Sequence, residues 1–331
     1  MQVRYTDFKT MKGSDKGKIN FYLFYSMETI RPDEEALRTA LISNHKDVIE
    51  LYQKFSPKVK RFLEEAFRPD STLFKPIELH LKSDWILSHP EPKQDFYTFY
   101  SSVHRKTPVS GKNIIYIQII GGILKYLKKK KPKDAFCIVG ITMIDLYPED
   151  SWNFVFGQAS LTEGMGVFSF ARYDDDFYTT NYKGKLKKKE HLVPDDYSVF
   201  DRYYTPPITS KLLLRSCKTL THEIGHIFGM HHCQWLQCVM QGSNHLAESD
   251  RRPIDLCPIC LRKLQCAINF DIKERYKARR PESLGPAGKG ALEVVLQLTF
   301  CCIYTCSVRC TVFPAPQHLD YRVHSLLLEP S

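Results

Sequence analysis

His222-Glu223-Ile224-Gly225-His226-Ile227-Phe228-Gly229-Met230-His231-His232-Cys233 reads H-E-x-x-H-x-x-G-x-x-H. His222 and His226 are four residues apart, so on a helix they leave one face about one turn apart and can bind one zinc ion. Gly229 tolerates a sharp turn that brings His232 round as a third ligand. Three protein ligands with an open fourth position mark a catalytic zinc, because the open position admits a water whose pKa the metal lowers to about 7. Glu223, next to the first ligand, is the candidate general base. A five-position match in a chain of this length arises by chance roughly once in ten thousand chains. A metal-free cluster of buried histidines is therefore the weaker reading. The H-x-x-G-x-x-H count selects His232 over His231, which is expected to face solvent.

A second constellation follows at once. Cys233 and Cys238 are separated by four residues, and Cys257-Pro258-Ile259-Cys260 forms a C-x-x-C knuckle. Two such pairs read as a four-thiolate structural zinc site, closed to substrate. Because Cys233 adjoins His232, the two metals would be mechanically linked, and two zinc ions per chain are expected.

The 331 residues are 43% hydrophobic and 25% charged, which excludes global disorder and allows one or two domains. The net charge of +10 comes largely from Lys128 to Lys131 with Lys133, and from Lys183, Lys185 and Lys187 to Lys189. These clusters read first as solvated surface and second as nuclear targeting. With four clustered cysteines they raise a zinc-ribbon nucleic-acid binder, but no accompanying nucleic-acid module is present, so no nucleic-acid partner is expected. No cleavable signal is visible ahead of the eleven cysteines. A reducing, intracellular location follows as the expectation, cytoplasmic with nuclear entry as a lesser option. Leu292 to Val308 is apolar but carries Glu293 and Gln297, so no membrane partner is expected.

Asp33-Glu34-Glu35 opens a helical pattern, and Val59 to Phe67 makes another. The proline-rich residues 68–110 read as surface loops. Ile114 to Ile120 is a buried strand, Ile123 to Lys131 a short basic helix, and Ala135 to Ile144 a second buried strand parallel to the first. Strands at 153–160 and 166–171 suit a hairpin about Glu163-Gly164, with one strand antiparallel at the sheet edge. Residues 174–207 read as a long loop. Thr209 or Ser210 caps the next helix, which keeps helical apolar spacing through Leu213, Cys217, Leu220, Ile224 and Ile227 and ends near Gly229.

The motif followed by a methionine is the signature of metzincin metallopeptidases. The run His232-Cys233-x-x-x-x-Cys238-Val239-Met240 with Cys257-Pro258-Ile259-Cys260 resembles the archaemetzincins within that group. The runs from Asp145 to Ser160 and from Gln241 to Leu246 extend the resemblance, which covers roughly residues 27–276. It implies an α+β fold, a metzincin-like mixed sheet packed on an active-site helix, with a second zinc site in the C-terminal part. It also implies a catalytic zinc on His222, His226 and His232, Glu223 as base, a structural zinc on Cys233, Cys238, Cys257 and Cys260, and Met240 as an apolar floor, the Met-turn. By the same analogy, the 153–160 strand is the edge onto which an extended peptide adds.

The expected organisation is a divergent extension at 1–26, a helical and loop-rich region at 27–110, a metzincin-like catalytic domain at 111–276 and a divergent, poorly ordered tail at 277–331. The implied function is zinc-dependent hydrolysis of peptide or protein substrates by a monomer. The segment between the 114–120 strand and the 123–131 helix is shorter than the resemblance leads one to expect, so the sheet must re-pair or stay open on one side. The alternative is therefore a catalytically impaired zinc-binding interaction protein. His245 is a weak candidate for a second electrophile, and Arg251 or Arg252 for a structural cation.

Overall fold

A computed structural model describes residues 28–119, 124–143, 145–146, 156–160, 163–179, 209–278 and 309–313. The 1–26 extension, the Lys183 to Lys189 cluster, most of the 174–207 segment and the 292–308 run lie outside the described residues.

The N-terminal part holds β1 (Glu28–Ile30), α1 (Glu34–Ile42), α2 (Lys46–Gln53), α3 (Pro57–Glu64), β2 (Ile77–Leu79), α4 (Trp85–Ser88) and α5 (Phe96–Tyr100). The Asp33 carboxylate accepts from Ala36 N, while Glu34 and Glu35 complement the positive end of α1. Ser56 caps α3, with Pro57 at the first position, where its missing N–H costs nothing. The reading of 68–110 as surface loops is corrected here. Trp85, Phe96 and Phe99 are buried, and the prolines flank short elements instead of interrupting them.

The main sheet is built from β3 (Ile114–Ile119), β4 (Ala135–Thr142), β5 (Gly157–Ser160), β6 (Met165–Ser169) and β7 (Arg309–Phe313), in the order β5-β6-β4-β3-β7. β3, β4, β6 and β7 are parallel neighbours; β5 runs antiparallel to β6 at the edge. α6 (Leu124–Lys130) links β3 to β4, as expected. The hairpin between β5 and β6 turns at Gly164, whose φ of 62° lies in the left-handed region. β7 comes from the tail expected to be poorly ordered. It pairs with β3 from Ile114↔Arg309 to Gln118↔Phe313, so the sheet has re-paired on that side.

The C-terminal part is helical: α7 (Ser210–Ile227), α8 (Leu246–Arg251), α9 (Pro258–Ile268) and α10 (Ile272–Ala278). Thr209 caps α7 by accepting from Leu212 N. Strand side chains alternate between faces. Ile115, Cys137, Val139 and Phe168 therefore pack in one core with Cys217, Leu220, Ile224 and Ile227 of α7. Tyr116, Ile138, Met165 and Val167 meet Leu127 of α6 on the opposite face. Leu37, Leu41, Tyr52 and Leu63 of the N-terminal helices belong to the α7 core too, so position 110 does not divide two cores.

Arg262 of α9 shows what ties these parts together. It is 1% exposed, donates to the carbonyls of Leu41, Ile42 and Val48, and lies 3.6 Å over the Phe96 ring. The guanidinium satisfies carbonyls at the C-terminal end of α1, where helix polarity favours a cation.

Candidate metal centre

His222 and His226 stand on α7, and His232 follows the turn that ends it. Gly229 takes φ of 94°, and a Cβ there would lie 2.7 Å from the His104 carbonyl oxygen. Glycine is required both for the turn and for the close approach of the 104–105 backbone. One ring nitrogen from each of the three histidines lies within 4.8 Å of the others.

Each imidazole has its Nδ1 engaged. His222 Nδ1 is 2.8 Å from Val239 O, His226 Nδ1 is 2.6 Å from Met230 O, and His232 Nδ1 is 3.0 Å from Glu91 Oε2. Acceptors at Nδ1 place the ring protons there and leave the Nε2 lone pairs facing inward. The Nε2 atoms of His222 and His226 are 3.0 Å apart. Two lone pairs that close repel unless a cation lies between them, and tetrahedral bonds of about 2.0–2.1 Å place ligand nitrogens about 3.3 Å apart. These residues fit a zinc ion. Burial holds His222 well below the usual imidazole range and His226 down at about 3, so both rings are neutral, the form that ligates.

Glu223 is half-buried beside His222. Burial pushes its carboxyl up to about 7, with the Arg252 guanidinium opposing the rise. Arg252 is 7% exposed, donates to Gln241 O and holds Ser249 Oγ at 2.7 Å. Arg251 instead pairs with Asp84 at 2.8 Å. Met240 is fully buried, and a Cβ on Gly225 would come within 2.5 Å of its Sδ, which places the thioether against α7 between the two helical histidines.

Cys233, Cys238, Cys257 and Cys260 bring their sulfurs within 4.8 Å of one another. Cys233 Sγ and Cys257 Sγ are 3.6 Å apart, close to the 3.8 Å or so expected between thiolates bonded to one zinc at about 2.3 Å. The backbone N–H groups of Met240 and Cys257 donate to Cys238 Sγ. The thiols of Cys238, Cys257 and Cys260 donate toward Cys233 and pull it well below its usual range, while burial pushes Cys238 well above. Four buried thiolates can coexist only around a cation, and the donor set suits zinc.

A third group, Asp84, His245 and Glu248, is close-set as well. His245 Nδ1 accepts from Glu248 N at the start of α8, so its proton sits on Nε2, 3.9 Å from Asp84 Oδ1. A protonated Nε2 cannot ligate, and Arg251 already neutralises Asp84. The group anchors α8 through His245 Nδ1, while His245 Nε2 has no hydrogen-bond partner among the described residues.

The residues that sequence reasoning missed lie in the 84–94 segment. Glu91 bonds His232; Gln94 Nε2 donates to Gly229 O at 3.0 Å, and its Oε1 accepts from His231 N at 3.0 Å. Lys263 of α9 in turn donates to Gln94 O and Oε1. His231 itself is exposed, as expected.

Residues 193–266 match the family model for Peptidase family M54. Archaemetzincin-2 of Homo sapiens is 54% identical over 310 residues, which cover 76% of this chain and 86% of that protein. Archaemetzincin-1 of Homo sapiens is 32% identical over 301 residues, 73% of this chain and 60% of that protein. A zinc-dependent peptidase from Methanocorpusculum labreanum aligns at 32% identity over 39% of this chain and 53% of its own, with a TM-score of 0.28, too low to bear on the fold. In the first alignment, 76% of 331 residues is about 252, so roughly 58 of the 310 aligned positions have no counterpart here.

Proposed function

The chain belongs to the archaemetzincin family of zinc metallopeptidases, and from that premise we propose that His222, His226 and His232 hold the catalytic zinc while Glu223 moves the proton during peptide-bond hydrolysis. The carrying observation is that all three Nδ1 atoms are committed, to Val239 O, Met230 O and Glu91, so that the three Nε2 lone pairs converge. When bound, zinc supplies Lewis acidity toward the scissile carbonyl and acidifies water.

Glu223 performs the acid–base work. A carboxyl raised by burial to about 7 takes up a proton near neutrality and returns it to the departing amine. Arg252 keeps that carboxyl from rising further, and its own position is fixed by Gln241 O and Ser249. Met240 is the floor of the site. Cys233, Cys238, Cys257 and Cys260 hold a second, structural zinc that pins the segment after His232. The substrate is a peptide or protein. An extended peptide adds along β5, the edge strand of the described sheet, through main-chain hydrogen bonds.

The test uses the parent and Glu223→Gln on a mixed peptide library, with zinc content measured on both. Two zinc ions in each, and a loss of about 10²–10⁴-fold or more in the variant, are expected. Cleavage at the parent rate by the variant would overturn Glu223 as the base. The roughly 58 missing aligned positions favour a second reading, a zinc-loaded interaction protein without a working cleft. A parent chain with two zinc ions and no cleavage of the library would select it.

A further inference from the structure

We propose that Glu91 is the positioning residue for the third metal ligand, an inference that rests on the histidine-zinc reading. His222 and His226 are held by a helix and by carbonyls close in the fold to it. His232 lies beyond the helix, after a glycine in the left-handed region, where nothing local fixes its ring. Its Nδ1 faces both oxygens of Glu91, at 3.0 and 3.2 Å. A carboxylate there fixes the proton on Nδ1, aims the Nε2 lone pair and makes it a stronger donor. It also brings a negative charge next to a site whose three ligands are all neutral, partly balancing a divalent cation.

The surroundings support this role. Trp85 meets the His232 ring edge-on, with centroids 5.0 Å apart and planes at 78°. Gly242 leaves room for that indole, since a Cβ there would lie 2.2 Å from Trp85 Cδ1. Gln234 Nε2 donates to the Glu91 carbonyl at 2.8 Å, and Gln94 holds both Gly229 and His231. The segments that carry Glu91 and His232 are thus tied to each other on either side of the carboxylate–imidazole contact. Glu91 is 24% exposed on its side chain against 6% for His232, so the contact is shielded on the imidazole side and reachable from solvent on the other.

The experiment is zinc competition with a chelator on the full chain, comparing the parent, Glu91→Gln and Glu91→Leu. The parent is expected to hold two zinc ions, one released more easily. Glu91→Leu should lower the affinity of that looser site by about 10–100-fold and leave the cysteine site unchanged. Glu91→Gln keeps an acceptor oxygen without the charge and should fall between the two. Cobalt substituted at the histidine site should change its visible spectrum in the leucine variant. Thermal unfolding of the zinc-free chains should stay together, a readout that a merely structural role would separate. Affinity within twofold of the parent in both variants, with the cobalt spectrum unchanged, would overturn the proposal. If Glu91→Leu does not fold, parent-like affinity in Glu91→Gln overturns it on its own. A parent with zinc at the cysteines alone would instead reject the histidine-zinc reading, and the proposal with it.

Discussion

Replacing Gly225 by alanine sets two effects of similar size against each other. Gly225 lies inside α7 between His222 and His226, where alanine gains about 1 kcal/mol of helix propensity over glycine. The new Cβ, however, would lie 2.5 Å from Met240 Sδ, 2.8 Å from Met230 Cε and 3.0 Å from Met240 Cε. Comfortable carbon contacts begin near 3.5 Å, so at least one thioether must move by about 1 Å. Both methionines are at most 2% exposed, so neither has open space to enter. Overpacking of this kind costs about 1–3 kcal/mol, and the net expectation is a loss of about 0–2 kcal/mol. The larger effect falls on the metal. Met240 O accepts from Cys233 N at 2.8 Å, and the preceding Val239 O holds His222 Nδ1. A displaced Met240 therefore disturbs both the histidine and the cysteine cluster. The assay is urea denaturation of the zinc-free chain together with zinc competition. Stabilisation by the full propensity gain of about 1 kcal/mol, with zinc affinity unchanged, would refute the reasoning, because it would mean that the Cβ was housed without moving the methionine.

Cys260→Ser should leave fewer than two zinc ions per chain, with the remaining one released more easily, as read by metal analysis after graded chelation. Cys260 stands on the helix whose Lys263 holds Gln94, and Gln94 holds the Gly229–His231 turn. Arg262→Met should destabilise the chain by about 3–5 kcal/mol in urea denaturation, because the carbonyls of Leu41, Ile42 and Val48 lose a buried cationic donor. A shift below about 1 kcal/mol would mean that water reaches those carbonyls.

That the histidines and the cysteines each gather into a cluster was legible because spacing suited to one metal ion is a pattern of residue type over a short stretch. His222 to Cys260 spans 39 residues, and the chemistry of each ligand is visible without knowing its neighbours. The sheet from Ile114 to Ser169 was legible for a similar reason, since β-branched runs and a hairpin glycine are local signals. Glu91 and Gln94 were not legible. They act on residues 141 and 135 positions away, and in sequence they are two polar side chains in a proline-rich stretch. Burial alone distinguishes Gln94 from a surface glutamine, and burial there is set by Lys263 and Trp235, which no local pattern announces. α2 was hidden between two clearer helices, and β7 lay in a segment whose composition said little about pairing.

β7 carries a consequence for the order in which the molecule comes apart. It joins β3 across roughly 190 intervening residues, a closure whose chain-length term alone amounts to about 4–5 kcal/mol. Among the described strands it has a single neighbour and contributes five paired positions. Such a strand docks late and leaves early, in an opening smaller than global unfolding. Its departure bares one whole side of β3, a parallel strand rich in isoleucine, while the histidine and cysteine clusters built on α7 and α9 stay assembled. A chain in that half-open condition would keep both clusters and yet offer a sticky edge to its neighbours, so the integrity of the clusters and resistance to self-association need not fail together.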